Sequence, residues 1–264
     1  MVTVEVIIVP TPAETGAVAA DAIEALYRDR PDAVLGVATG SSPLAIYAEL
    51  AHRVSDGRLN LTRATAFLLD EYVGLPTEHP ERYRNVVERD FVARVDIPTA
   101  SVHGPDGRAD DLPAACTAYE DAIMDAGGVD LQILGVGTDG HIAFNEPGSS
   151  LASRTRIKTL TSQTRRDNAR FFGDDVEAVP RHCLTQGIAT IMAARHLVLV
   201  ASGRGKAEAV HQLVEGPISA MWPATILQMH PRATVVVDAA AASRLALAGY
   251  YAETYAAKPT WQGL

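Results

Sequence analysis

Three side chains able to move protons fall within the eight residues 139–146 of the segment 134-LGVGTDGHIAFNEPGSS-150: Asp139, His141 and Glu146. An imidazole titrates near neutral pH, so it can both give and take a proton, and a carboxylate beside it fixes its tautomer and stabilises its charged form. Gly135, Gly137 and Gly140 permit sharp turns and close approach of a ligand to the backbone. The plainer reading is a polar loop with a structural histidine. A metal site is a weaker rival, because no partner cluster of ligands is evident elsewhere.

Other polar segments follow apolar runs in the same way. In 38-ATGSSPLAIY-47, Ser42 suits the cap of a following helix and Pro43 its first turn. The same Gly-Ser-Ser turn also reads as an anion seat, with free amides and hydroxyls facing one point. In 68-LLDEYVGLPTEHPERY-83, Asp70 and Glu71 are either a solvated turn or a general base. In 151-LASRTRIKTLTSQTRRDNARFFG-173, an extended chain would point Arg154, Arg156 and Lys158 to one side, as a solvated strand edge or an anion-binding face, and Arg170 falls on a helix from about Ser162. In 201-ASGRGKAEAV-210, Arg204 and Lys206 sit in a glycine turn that starts a helix, again a phosphate seat or a plain turn.

These segments need strands to end where they begin, and the chain supplies them. VEVIIV (4–9), AVLGVA (33–38), ATAFLL (64–69), DLQILGVG (130–137), HLVLVAS (196–202) and ATVVVDA (233–239) are apolar, β-branched runs. Helical stretches separate them, one to about Arg28 and one in PLAIYAELAHRV. Such alternation predicts an α/β fold, a mostly parallel sheet covered on both faces, with ligands bound outside the carboxyl ends of the strands. No repeat or linker interrupts it, so one domain over 1–264 is expected.

The totals narrow the function classes. The 264 residues are 47% hydrophobic and 21% charged, an ordinary globular composition. A net charge of −9 argues against nucleic acid as a partner, which needs a clustered positive face. No apolar run is long enough to cross a bilayer. The opening MVTVEVIIVP lacks a basic region and is too short in apolar length for a signal peptide, so the cytoplasm is the expected compartment. Cys116 and Cys183, far apart and in helix-like contexts, read as buried or idle thiols. Carboxylate, imidazole and anion seats at strand ends, without a nucleotide fingerprint, describe a site for proton transfers on a small sugar phosphate.

LLDEYVGLP, GVGTDGHIAFNEPGSSLASRTRIKTLT, NARFF and SGRGKA closely resemble the glucosamine-6-phosphate deaminase (glucosamine/galactosamine-6-phosphate isomerase) family, from the opening strand to about Pro231. The resemblance implies a Rossmann-like three-layer αβα sandwich. It implies conversion of glucosamine 6-phosphate and water to fructose 6-phosphate and ammonia, in amino-sugar catabolism, with no redox or metal cofactor. Asp70 would move a proton between C2 and C1 of the opened sugar. His141 would open the pyranose ring, oriented and tuned by Asp139 and Glu146. Gly40, Ser41, Ser42, Arg170 and Lys206 would seat the phosphate, although the family often has Gly-Gly-Thr where this chain has Gly-Ser-Ser. Ser149, Ser150, Arg156, Lys158 and Thr159 match an effector site of hexameric members activated by N-acetylglucosamine 6-phosphate, so a homo-oligomer, a hexamer, is expected. The tail 240–264 departs from those members, and Tyr250, Tyr251 or Tyr255 would have to supply the aromatic that completes the effector site.

Two rivals share parts of the pattern. A 6-phosphogluconolactonase needs no C2 base, so Asp70-Glu71-Tyr72 and the Phe144–Pro147 continuation count against it. A sugar-phosphate sensor carries a DNA-binding module, whereas this chain opens on a strand and is acidic throughout. A silent sugar-phosphate binder remains the third reading, against the presence of all four proton-transfer residues.

Overall fold

The computed structural model describes residues 4–259 and 262–264. The chain runs β1 (Val4–Val9), α1 (Pro12–Asp29), β2 (Val34–Val37), α2 (Leu44–Ser55), β3 (Thr65–Leu68), β4 (Asp70–Tyr72), α3 (Tyr83–Asp90) and β5 (Val102–His103). It continues through α4 (Leu112–Asp125), β6 (Leu131–Leu134), β7 (Arg156–Thr159), α5 (Ser162–Asn168), β8 (His182–Thr185) and α6 (Ile188–Met192). β9 (His196–Ala201), α7 (Ala207–Glu215), β10 (Ala233–Asp238) and α8 (Ala248–Ala256) complete it.

Seven strands form one sheet in the order β1-β10-β9-β6-β2-β3-β5, and every pairing in it is parallel. Every residue of β2, β6, β9 and β10 is buried, so both faces are covered and the runs are apolar rather than alternating. The helices that cover them start on sequence signals. Thr11 and Glu14 form a capping box with Pro12 behind it, and the Asp111 side chain accepts from the Ala114 amide at 2.9 Å to start α4. The α/β layering expected from the strand–helix alternation is therefore present.

A second sheet, β4-β8-β7, is antiparallel and was not foreseen from the periodicity. Its strands are short, three or four residues each, below the length at which a period can be recognised. It carries its own apolar cluster of Tyr72, Leu75, Phe144, Leu160, Ala169, Val179 and Cys183. Cys183 thus lies on β8 and not in a helix; both cysteines are buried and free.

Candidate active site

Four neighbouring strands of the main sheet, β9, β6, β2 and β3, deliver the predicted residues at their carboxyl ends. β2 leads on to β3 on one side, while β6 leads on to β9 on the other, so the chain diverges between β2 and β6 and leaves a crevice there. Gly40, Ser41 and Ser42 follow β2, and Asp70 follows β3. The segment from Gly135 follows β6, and Lys206 follows β9. The loops after β2 and β6 touch: a Cβ built on Gly135 would stand 2.9 Å from the Ser42 hydroxyl.

Asp70 is buried, and among the described residues its carboxylate accepts no hydrogen bond. Burial, and then the charge of Glu71, hold its proton affinity well above the usual carboxylate range. Glu71, the next residue on β4, faces the other way and has a different task. Its carboxylate accepts from the amides of Tyr72 at 2.8 Å, Tyr83 at 2.9 Å and Arg84 at 3.0 Å, and so caps α3 from outside the helix. Burial holds its proton affinity above the usual carboxylate range, and those three amides and the nearby Arg82 offset only part of that rise.

The imidazole of His141 is half-buried and its Nδ1 lies 2.7 Å from Asp139 Oδ1. The same oxygen receives the His141 amide at 3.3 Å, which orients the carboxylate toward the ring. Burial pushes Asp139 up, but its bond to His141 more than offsets this, and its carboxyl sits below the usual range. An ionised Asp139 holds Nδ1 protonated and leaves Nε2 free to exchange a proton. The loop that carries His141 is held under strain: Ala143 adopts φ 49°, outside the range most side chains tolerate. Asn145 secures that turn, its side-chain amide donating to the carbonyls of Ile142 at 3.0 Å and Gln186 at 2.9 Å. Trp222 lies beneath, where a Cβ on Gly140 would come within 2.6 Å of its Cε3.

Glu146 is placed differently from the expectation that it orients His141. It is buried, and its carboxylate accepts from the Thr161 amide at 3.3 Å, the Thr161 hydroxyl at 3.1 Å and the Thr164 hydroxyl. It therefore anchors the start of α5, the segment that leads to Arg170, and makes no hydrogen bond to His141 among the described residues.

The anion seat also differs in detail. Pro43, not Ser42, occupies the cap position of α2, and no side chain caps that helix. The Ser42 hydroxyl is thereby left for the crevice, with Ser41 exposed and Gly40 at φ 87° turning the chain. Arg170 lies on a single 3-10 turn, Ala169–Phe171, just beyond α5, and its guanidinium sits over the Phe171 ring at 4.7 Å. Lys206 ends the turn Arg204–Lys206. Burial, then the charge of Arg170, lower its proton affinity, and Asp139 raises it. Two cations and the Asp139–His141 pair thus share one electrostatic neighbourhood.

The remaining predicted group is only partly gathered. Arg156 and Lys158 share the half-buried face of β7, but Thr159 points to the exposed face with Ile157, and its hydroxyl meets His182 Nδ1 at 3.2 Å. Arg154 precedes the strand and is ion-paired with Glu120, so it does not join a free cationic face. Ser149 is buried with an unpartnered hydroxyl among the described residues, and Ser150 is exposed. The tail tyrosines lie elsewhere: α8 packs on β1, and the Tyr251 hydroxyl donates to Glu215 on α7.

Residues that the motifs did not single out line the same region. The Tyr83 ring stacks on Phe144, its hydroxyl lies 3.3 Å from that of Tyr72, and Asn168 donates to the Tyr72 hydroxyl at 2.9 Å. They join the strand after Asp70, the His141 loop and the end of α5 into one packed unit. Tyr72 was visible within Asp-Glu-Tyr; Tyr83 and Asn168 gave no signal, because their role depends on contacts across 11 and 96 residues.

Comparison with known proteins agrees with this arrangement. The family model described as glucosamine-6-phosphate isomerases/6-phosphogluconolactonase matches residues 12–236. A protein of Beutenbergia cavernae named glucosamine-6-phosphate deaminase is 70% identical, the match covering 98% of this chain and 100% of that one. A solved structure described as a monomeric glucosamine-6-phosphate deaminase superposes with a TM-score of 0.88 at 40% identity, over 90% of this chain and 99% of that chain. The 6-phosphogluconolactonase of Trypanosoma brucei, at 19% identity and TM-score 0.73 over 93% of this chain and 100% of its own, shares the fold. With the family model matching residues 12–236 and a relative 70% identical over 98% of this chain's length, the chain belongs to the glucosamine-6-phosphate isomerase/6-phosphogluconolactonase family.

Proposed function

We propose that the chain is a glucosamine-6-phosphate deaminase, converting glucosamine 6-phosphate and water to fructose 6-phosphate and ammonia. The observation that carries this reading over a lactonase is Asp70, a buried carboxylate with raised proton affinity and no hydrogen-bonded partner among the described residues. Lactone hydrolysis has no use for such a base, whereas an aldose–ketose shift needs one.

The steps follow from the groups present. His141, held by Asp139 at 2.7 Å, passes a proton between the C1 hydroxyl and the ring oxygen and opens the pyranose. The C1 aldehyde acidifies C2–H, and Asp70 takes that proton and returns it to C1 while a proton from the substrate's ammonium passes to O1, which leaves a C1 hydroxyl and an iminium at C2. Water adds to C2 and ammonia leaves, so the ketone oxygen of the product comes from water. Gly40, Ser41, Ser42, Arg170 and Lys206 hold the phosphate throughout. A base with raised proton affinity suits both halves of the shift, since it must accept the proton and then give it back.

Activation by N-acetylglucosamine 6-phosphate at Ser149, Ser150, Arg156, Lys158 and Thr159 is the finer reading, supported by the shared face of Arg156 and Lys158 and by the buried, unpartnered Ser149 hydroxyl. Hexameric assembly and a cytoplasmic location belong to the same finer reading. Among the described residues no helix is long and apolar enough to cross a membrane.

The test is coupled release of ammonia and fructose 6-phosphate by the purified chain, with Asp70→Asn alongside. Stoichiometric products, lost in the variant, are expected; hydrolysis of 6-phosphogluconolactone instead would sink the proposal. Adding the acetylated sugar phosphate during the assay tests activation, and sedimentation separates a hexamer from a monomer.

A further inference from the structure

On the face of β4 away from Asp70 lies a second concavity of ≈ 330 Å³, lined by Arg82, Arg84 and His103, with Glu71 and the turn 102–105 closing its floor. It shares none of the residues assigned above to catalysis or to the phosphate seat. Arg82 is about four-fifths buried, 19% exposed at its side chain, yet its guanidinium makes no hydrogen bond among the described residues. The nearest carboxylate oxygen, on Glu71, is 3.7 Å away, and Glu71 already spends its lone pairs on three backbone amides. A planar guanidinium held in a cavity wall with no hydrogen bond among the described residues has its donors free for a bidentate oxyanion.

The surroundings favour the same occupant. Arg84 is held in place by Glu88 at 3.1 Å and the Thr99 carbonyl at 3.0 Å, which fixes it as part of the cavity wall. His103 is exposed, and its ring packs on Phe67 at 5.2 Å, so it forms a fixed wall with a polar edge. Of the two guanidiniums in the cavity wall, Arg84 is taken up by Glu88, so Arg82 is the cation that faces an incoming anion.

We propose that this cavity binds a phosphate group, at a site separate from the one that holds the substrate's phosphate. Glu71 connects the two regions: it fixes the first turn of α3, and Tyr83 in that turn stacks on Phe144 beside the His141 loop. An anion bound to Arg82 therefore rests on the element that buttresses the catalytic loop.

Calorimetric titration with inorganic phosphate tests this, on a variant carrying both Lys206→Ala and Arg156→Ala, in which the proposed substrate seat and the proposed effector site are disabled. One saturable site is expected to remain. Adding Arg82→Gln should weaken it at least about tenfold, the scale of losing a charge-assisted hydrogen bond. His103→Gln, at an exposed position that leaves Glu71 and Arg82 untouched, should weaken it as well. A parallel titration with glycerol 3-phosphate identifies the source: binding of the ester shows a cavity open to phosphomonoesters, and binding of inorganic phosphate alone a closed one. No saturable phosphate binding in that double variant, or an affinity unchanged by both Arg82→Gln and His103→Gln, overturns the proposal. Neither result bears on ammonia release by the unmodified chain, so the two readings fail independently.

Discussion

Replacing Gly137 with alanine tests whether the position of the imidazole, and not only its presence, sets the rate. A Cβ at Gly137 would stand 2.6 Å from Cγ of His141 and closer still to Cε1 and Nδ1. Carbon atoms in contact settle at about 3.5 Å, so Cγ must recede by about 0.9 Å and the nearer Cε1 by more than about 1 Å. The backbone cannot absorb this, because the Gly137 amide donates to the His141 carbonyl at 2.9 Å and ties the two residues together. Nor does alanine strain the main chain, since Gly137 is not among the glycines with positive φ. The ring therefore rotates away, and the 2.7 Å bond to Asp139 is the contact that gives. A misplacement of about 1 Å at a reacting group costs about 10²-fold in rate, which is about 2.7 kcal/mol of barrier.

The assay is steady-state ammonia release. kcat should fall by about 10²-fold with KM little changed, because the phosphate seat on the β2 and β9 loops is not displaced. The melting temperature, read in parallel, separates a moved imidazole from an unfolded chain. A variant that melts like the parent and keeps kcat within about threefold would refute the reasoning, since His141 would then tolerate displacement and could not be a positioned proton carrier.

Glu146→Gln should raise KM more than it lowers kcat, by loosening the start of α5 and with it Arg170; faster proteolytic cleavage within 161–180 is the independent readout. Losing part of a buried carboxylate's three hydrogen bonds costs about 1–3 kcal/mol, and equal cleavage rates would count against this role. His196 is buried against Thr234 at 2.9 Å, and burial, then the charge of Arg232, hold its pKa down at about 3 against 6.5 in the open chain. The unfolded chain therefore binds the extra proton between those values. Stability is full above pH 6.5 and falls as pH drops toward 3, by up to about 1.4 kcal/mol per pH unit. His196→Gln should flatten that slope in denaturant melts at pH 7 and pH 5, and an unchanged slope would assign the acid loss to other groups. Gly36→Ala places a Cβ 2.6 Å from Nε2 of the fully buried Gln132 and should cost about 1–3 kcal/mol, recovered in part when Gln132 is cut to alanine.

What could be read in advance and what could not divide along a physical line. β2, β9 and β10 are buried at every position, so their apolar runs announce strands without help from the rest of the chain. The rule that ligands gather at the carboxyl ends of such strands then placed Gly40–Ser42, Asp70, His141 and Lys206 near one another before any coordinates. The β4-β8-β7 sheet escaped because its partners are far apart in the chain, Asp70 pairing with Thr185 and Arg156 with the same Thr185. No local pattern reports such contacts. Individual roles escaped for a related reason. Asp70 and Glu71 are adjacent carboxylates at a strand end, and their types alone make them interchangeable candidates for the base. The pleat of β4 separates them: one is buried and accepts no hydrogen bond among the described residues, and the other faces α3 and three amides. The capped carboxylate also assists the free one, since its negative charge, after burial, raises the proton affinity of Asp70. Glu146 illustrates the converse. It sits within eight residues of Asp139 in the motif, yet its hydrogen bonds run to Thr161 and Thr164. Proximity in sequence suggested a relay of three groups; the structure pairs two of them, Asp139 and His141, and uses the third carboxylate to hold the segment that leads to Arg170.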